Sequence, residues 1–550
     1  MSASQAGEPR GAVEISGLTE LDVLVVGAGF SGVYMLHKVR QLGLTAGVVE
    51  RGDDVGGVWF WNRYPGARCD VQSFDYSYSF DEELQQEWRW TERYAAQPEI
   101  LRYIEHVVER FDLRRDIQFQ TAVISADFDV RTNRWTVRTD NGPAYSARFL
   151  IMATGVLSAT KRPDFPGLED FQGDWYVTAN WPKDGVDLTG RRVGLIGTGS
   201  TGIQITPMLA QQAEHLYVFQ RTPNFSMPAR NHRLDDDFDR TLKASYQQRR
   251  TAGKQTARGY PSPPVLADRP ALEHSAEERQ AVYERVWANG GPTFTSSFPD
   301  LILNKEANDT AADFVRTKIR EIVHDTVTAE LLSPYDHPLG TRRPCVDTDY
   351  YATFNRVDVT LVDVRSAAID RIEPHGLRTA TDSYQLDTLV FAIGFDAMTG
   401  ALLRIDITGV DGLPLRKAWE DGPHTYLGLA IAGFPNLFMI TGPGSPSVLT
   451  NMVMSIEQHV EWISELLRHA GEHDVERIEA QLEAQEAWSK HVVEAADATL
   501  LPLANSWWAG SNIPGKPRVF MPYVAGLAVY GEKLRDVADR GYDGFNLATG

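Results

Sequence analysis

Leu21-Asp22-Val23-Leu24-Val25-Val26-Gly27-Ala28-Gly29-Phe30-Ser31-Gly32 is the stretch whose reading decides the fold. A run of Val and Leu ends directly in a glycine turn, after which Val33, Leu36 and Val39 continue at helical spacing. Val48 and Val49 form the next short strand, which stops at Glu50, 18 residues beyond Gly32. Strand, turn, helix, strand and acid together make a dinucleotide-binding unit. Gly27 allows the sharp turn, Gly29 lets the backbone approach a pyrophosphate, and Gly32 lets helix and strand pack closely; Ser31 lies in the same turn. The pattern returns further along. Arg192 to Ile196 reads as a strand, Gly197-Thr198-Gly199-Ser200-Thr201-Gly202 as the turn, Ile203 to Gln211 as the helix and Leu216 to Phe219 as the next strand. The expected fold class is α/β, with two Rossmann-like dinucleotide-binding domains in one chain.

The two units want different ligands. Glu50 accepts hydrogen bonds from ribose hydroxyls and repels a 2′-phosphate, so the first site suits FAD or NAD and rejects NADP. The second strand ends Phe219-Gln220-Arg221-Thr222, placing a guanidinium and a hydroxyl where the first unit has its acid. A guanidinium matches a 2′-phosphate through paired charge-assisted hydrogen bonds, which points to NADPH. The alternative for Arg221 is a solvated surface residue. One chain with both sites moves hydride from NADPH to FAD. Val55-Gly56-Gly57-Val58-Trp59 carries no cysteine pair, so a thiol relay is excluded and reaction with dioxygen remains.

At 550 residues the chain is long enough for two to four domains, and 43 % hydrophobic with 23 % charged residues is a globular composition. The net charge of −20 disfavours nucleic acid and anionic membranes as partners. Two cysteines, Cys69 and Cys345, give neither a disulfide framework nor a zinc site; no metal is expected, and a reducing compartment fits. The first twenty residues lack an apolar stretch of signal-peptide length. Pro435, Asn436 and Pro443 break the most apolar window, Leu427 to Gly444. The expectation is a soluble cytoplasmic monomer.

Arg134 to Asp140 and Arg148 to Ala153 read as strands, the second running into Thr154-Gly155, and Thr388 to Ile393 likewise runs into Gly394. Such late strands return the chain to each unit and make the domains discontinuous. FAD-binding segments are expected over residues 1–155 and 391–550, and NADP-binding segments over 156–224 and 336–390. A helical insertion over residues 225–335 lies in the NADP domain. Within it Ser275 and Glu278 form a capping box, Gly290 and Gly291 stop that helix, and Val315, Ile319, Ile322 and Val323 share a helical face. Met452, Ile456, Val460 and Ile463 mark one face of a later long helix.

Gly57-Val58-Trp59-Phe60-Trp61-Asn62-Arg63-Tyr64-Pro65-Gly66-Ala67-Arg68-Cys69-Asp70 resembles in full a signature of the flavin-dependent Baeyer–Villiger monooxygenases, most closely the phenylacetone, steroid and cyclohexanone group. Phe171-Gln172-Gly173 with Trp181-Pro182 matches most of a second signature, and the likeness runs from about Leu21 to about Phe545. Three positions depart: Val177 replaces a histidine associated with domain movement, Arg342 replaces a common lysine, and Ile393 replaces a common threonine.

The resemblance implies an NADPH- and O2-dependent enzyme that inserts one oxygen beside a ketone carbonyl through a C4a-peroxyflavin. The product is an ester or lactone, and sulfide oxidation is a side activity. It implies Arg343 as the arginine over the flavin and Asp70 as the carboxylate that orients it; the alternative is an ordinary buried salt bridge. It puts Val58, Trp59 and Tyr76 at the flavin and Arg342 at the NADP side. Trp507, on a mobile loop from Ser506 to Lys516, would contact the nicotinamide ribose, with an interior aromatic as the alternative. Val71, Ser447, Val448, Leu449, Met452 and Met521 would wall the substrate pocket, where plain core residues are the other reading. His459 is given no role. An N- or S-hydroxylating relative, an uncoupled NADPH oxidase and a flavin-binding sensor are the rival functions.

Overall fold

A computed structural model describes residues 18–549 except 262, 264 and 265; residues 1–17, read above for a signal peptide, lie outside the described residues. β1 (Thr19–Val26) lies inside the first sheet, with β2 (Ala46–Val49) and β6 (Tyr145–Met152) parallel on either side. Its apolar run is explained by burial on both faces. Val23 and Val25 enter one core and Leu24 and Val26 another, as the two-residue period of a strand requires. Helices Phe30–Gln41 and Met452–Glu472 pack over the first face, contributing Val33, Leu36, Val39, Ile456, Val460 and Ile463 to it. β3 (Ile117–Gln118) extends the sheet beyond β2, while β4 (Val123–Asp129) and β5 (Arg134–Thr139) meander antiparallel into β6.

The second sheet is all parallel. β8 (Arg192–Ile196) is its central strand, flanked on one side by β9 (His215–Gln220) and β12 (Val359–Asp363) and on the other by β16 (Thr388–Phe391) and β7 (Asp174–Val177). The reversal of strand order at β8 is the topological switch point at which such sheets bind nucleotides. A short parallel pair, β10 (Ser226–Pro228) with β11 (Cys345–Asp347), brackets helices Asp236–Lys254, Ala276–Asn289, Lys305–Ile322 and Thr326–Leu332. Ser275 and Glu278 close the capping box, and Gly290 and Gly291 turn the chain out at φ +68° and +86°.

Late in the chain β17 (Asp406–Thr408) pairs with β4, and β18 (Leu437–Met439) with the end of β6. The α/β class with two Rossmann-like sheets and a helical excursion is therefore what the chain forms. Differences from the sequence reading are local. The second glycine-turn helix begins at Ser200 rather than Ile203, because Gly202 itself sits in its first turn. The strand expected to reach Ile393 ends at Phe391, three residues before Gly394 reverses the chain at φ +76°. An antiparallel meander of β13 (Ile369–Glu373), β14 (Gly376–Thr379) and β15 (Ser383–Gln385) was not anticipated. No helix among the described residues is long and apolar enough to cross a membrane.

Candidate active site

The first glycine turn has the shape its spacing demands. Gly27 lies at φ +105°, and a Cβ on Gly32 would fall 1.8 Å from the Gly27 carbonyl oxygen. Gly29 packs so closely on Gly57 that a Cβ there would sit 3.2 Å from the Gly57 Cα, which ties the signature loop to the turn. No side chain caps helix Phe30–Gln41, so its first N–H groups and dipole are left for an anion. Glu50 does more than sequence reasoning assigned. Its Oε2 accepts the Ala28 N–H at 2.7 Å and its Oε1 the Gly52 N–H at 2.7 Å, so the carboxylate also braces the turn. Burial raises its pKa, and those backbone bonds oppose the rise.

The second turn repeats this plan. Gly197 is at φ +113°, a Cβ on Gly202 would meet the Gly197 carbonyl oxygen at 2.0 Å, and Gly199 faces open space. Helix Ser200–Ala210 again has no side-chain cap. Thr198 Oγ1 donates to the Thr222 carbonyl at 2.9 Å, joining the turn to the strand end that carries Arg221. Arg221 is exposed, and Arg342 Nε is buried without a hydrogen-bond partner. Burial lowers the Arg342 pKa; Asp336 opposes that, and the charges of Arg221 and Arg365 add to the lowering. A set of mutually repelling cations beside an uncapped helix is an anion site by its chemistry, so both turns fit dinucleotides.

Arg343 ties the signature segment to the second unit. Its Nε donates to Asp70 Oδ2 at 2.9 Å, its Nη2 reaches both Asp70 oxygens at 2.9 and 2.7 Å, and its Nη1 donates to the Val448 carbonyl at 2.8 Å. The two side chains are 30 % and 21 % exposed. The Asp70 charge raises the arginine's pKa, so it stays cationic. Asn224, just past Arg221 and Thr222, donates from Nδ2 to the Arg343 carbonyl at 3.0 Å, a support that no local sequence signal marks. The signature segment also locks onto the second unit: Tyr64 donates to Gln204 Oε1 at 2.8 Å, and Gln204 Nε2 to the Arg68 carbonyl at 3.0 Å. Trp59 Nε1 donates to the Tyr76 hydroxyl at 3.2 Å, with the rings edge to face.

Of the pocket residues read from sequence, Val448, Leu449, Met452 and Met521 gather with Trp507 in one apolar cluster, together with Val156, Met398, Trp508 and Phe520, which sequence reasoning missed. Ser447 is fully buried beside Val448 with its hydroxyl unpartnered. Val71, directly after Asp70, packs on the core under the first sheet and also lines a cavity with Gln72, Arg93, Tyr94, Arg249 and Tyr260. Thr441 N–H donates to His459 Nδ1 at 2.9 Å, and burial pulls that imidazole down to about 3, leaving it a neutral packing residue. Val177 and Ile393, two of the departures, pack against the same apolar cluster as Phe391. Among the described residues no group of three His, Cys, Asp or Glu side chains is placed to hold a metal ion.

Two uncapped glycine-turn helices and an arginine fixed by Asp70 define a protein with two dinucleotide sites. Residues 21–233 match the FMO-like family model, flavin-binding monooxygenase-like. The chain is 42 % identical over 529 residues to a Baeyer-Villiger monooxygenase of Pseudooceanicola batsensis, covering 95 % of each. It is 42 % identical to phenazine N-monooxygenase PhzNO1 of Lysobacter antibioticus, covering 96 % of this chain and 97 % of that protein. A solved structure of oxidized steroid monooxygenase bound to NADP superposes with a TM-score of 0.93 at 51 % identity, covering 97 % of this chain and all of the other. This chain belongs to the Baeyer–Villiger monooxygenases, and its cofactors are FAD and NADPH.

Proposed function

We propose that the chain oxidises a ketone to an ester or lactone, with Arg343 as the catalytic cation and Asp70 as the residue that positions it. Bound FAD, reduced by NADPH, supplies the activation of dioxygen. The observation that carries the reading is the donor count on Arg343. A guanidinium has five N–H groups, and with Nε and Nη2 turned to Asp70 and one Nη1 hydrogen on the Val448 carbonyl, a second Nη1 hydrogen is uncommitted. That hydrogen and the permanent charge favour an anionic oxygen and the oxyanion that develops on an attacked carbonyl. Val71, Val448, Leu449, Met452 and Met521 wall the apolar side of the pocket with Ser447 packed behind Val448, and Trp507 meets the nicotinamide ribose.

Gly27, Gly29, Ser31, Gly32, Glu50, Val58, Trp59 and Tyr76 hold FAD in this reading, and Gly197 to Gly202 with Arg221, Thr222 and Arg342 hold NADPH. In this reading the FAD domain takes the described parts of residues 1–155 and 391–550, the NADP domain 156–224 and 336–390, and the insertion the described part of 225–335. The proposed setting is the cytoplasm, where the buried thiols of Cys69 and Cys345 stay reduced. The test is turnover of the FAD-loaded enzyme with cyclohexanone and NADPH under ¹⁸O₂. A lactone carrying one ¹⁸O supports the reading; unlabelled or absent lactone, with NADPH consumed, removes it.

The 42 % identity to a phenazine N-monooxygenase favours a second reading, oxidation of a ring nitrogen at the same site. Phenazine and cyclohexanone compared at equal concentration separate the two.

A further inference from the structure

Two chain segments connect the nucleotide units, and they run together. Asp396 N–H donates to the Ala159 carbonyl at 2.9 Å, Met398 N–H to the Val156 carbonyl at 3.0 Å, and Thr160 bridges to Phe395. The loop from Asn505 to Arg518 is fastened onto this pair. Asn512 Nδ2 donates to the Phe395 carbonyl at 2.7 Å, and Lys516 pairs with Asp396 at 2.6 Å and reaches the Ala397 carbonyl at 3.0 Å. On the other connector Lys161 Nζ donates to the Asn512 carbonyl at 3.0 Å.

Lys161 is placed unlike Lys516. Lys516 has a carboxylate partner; Lys161 has none within 4.0 Å among the described residues, and the Asn512 carbonyl takes one of its three N–H groups. Burial first and then the charge of Arg221 pull the Lys161 ammonium below its usual pKa, with Asp396 opposing. Arg221 also repels Arg342, whose buried Nε lacks a partner. Lys161 and Arg342 thus each feel the charge of Arg221 and keep N–H donors unused, and a bound anion would relieve that repulsion further than Asp396 and Asp336 do. One of the three holds the loop.

We propose that Lys161 is a positioning residue that couples the 2′-phosphate of NADPH to closure of the Asn505–Arg518 loop. This rests on the reading of Arg221 and Arg342 as the phosphate site. The phosphate neutralises the charge that Lys161 faces and accepts its free N–H groups, while the same ammonium keeps the Asn512 carbonyl, and with it Trp507, in place. NADH, lacking the phosphate, leaves the repulsion standing and the loop less firmly held. The loop therefore reports which dinucleotide is bound before oxygen chemistry begins.

The test follows backbone amide exchange over residues 505–518 in the FAD-loaded enzyme with saturating NADP⁺ or NAD⁺. NADP⁺ should slow exchange about tenfold more than NAD⁺, the size of one charge-assisted hydrogen bond. In Lys161→Gln the advantage of NADP⁺ should vanish and the peroxide released per NADPH should rise, while Lys161→Arg should keep both properties near the parent's. Full NADP⁺-specific protection in Lys161→Gln overturns the proposal, as does its loss in Lys161→Arg with FAD still bound. Arg221→Ala separates the underlying reading. An unchanged preference for NADPH over NADH there removes the phosphate site itself, whereas a lost preference with an undisturbed loop response in Lys161→Gln removes the coupling alone.

Discussion

Asp70 and Arg343, 273 residues apart, are joined by three hydrogen bonds of 2.7 to 2.9 Å, and through that pair the signature loop of the first glycine-turn unit holds the segment that leads into β11. The ion pair also sets an orientation. With Nε and Nη2 engaged by the carboxylate, the plane of the guanidinium is fixed and Nη1 is the edge left to the site.

Replacing Asp70 with Ala frees that plane. Ester formation should fall by about 10²-fold, because misplacing a catalytic group by an ångström costs that much. The cation remains, so NADPH oxidation continues and peroxide accounts for the difference. The Asp70→Ala and Arg343→Ala losses should not add in the double variant, as expected for groups that act as a unit. Steady-state product yields of the three variants check this; additive losses would mean that Asp70 acts elsewhere.

Gly32→Ala brings a Cβ to 1.8 Å from the Gly27 carbonyl oxygen, a contact that no rotamer change relieves. The turn must open, and the purified protein should lose FAD. Absorbance at the flavin band against protein concentration measures it. Gly43→Ala is the matched control, since a Cβ there meets nothing within 4 Å although the backbone is at φ +73°; that variant should retain FAD.

Asp347 ends β11, two residues past the sulfur of Cys345. Its carboxyl accepts a hydrogen bond from Ser226 Oγ and one from the Tyr350 N–H, and burial still pushes it up to about 6 from 3.8. The raised pKa means that the fold favours the protonated form. Its contribution to stability is therefore complete below pH 3.8 and is lost as pH rises through about 6. Asp347→Asn removes this titration. The melting temperature of the variant relative to the parent should be higher at pH 8 than at pH 5, and a difference independent of pH would contradict the assignment.

The parts of the site that could be read along the chain are those whose geometry is local. A pyrophosphate turn needs glycine at fixed offsets within six residues, and both turns show it. The ring of long-range contacts carries no such mark. Glu50 was read for its distance from Gly32, but its bonds to the Ala28 and Gly52 N–H groups depend on how strand and turn pack. Asp70 and Arg343 were paired through family resemblance, since periodicity says nothing about residues in separate units. Asn224 under Arg343, Gln204 under the signature loop and Lys161 beneath Asn512 are ordinary polar residues until the fold closes.

The central claim is that the uncommitted edge of Arg343 stabilises an anionic oxygen, and turnover of Arg343→Ala with cyclohexanone under ¹⁸O₂ tests it most directly. FAD content should match the parent's and NADPH should still be oxidised, but lactone should fall by at least about 10²-fold, the cost of removing one oxyanion donor, with ¹⁸O recovered as hydrogen peroxide. Labelled lactone formed at the parental rate would contradict the account.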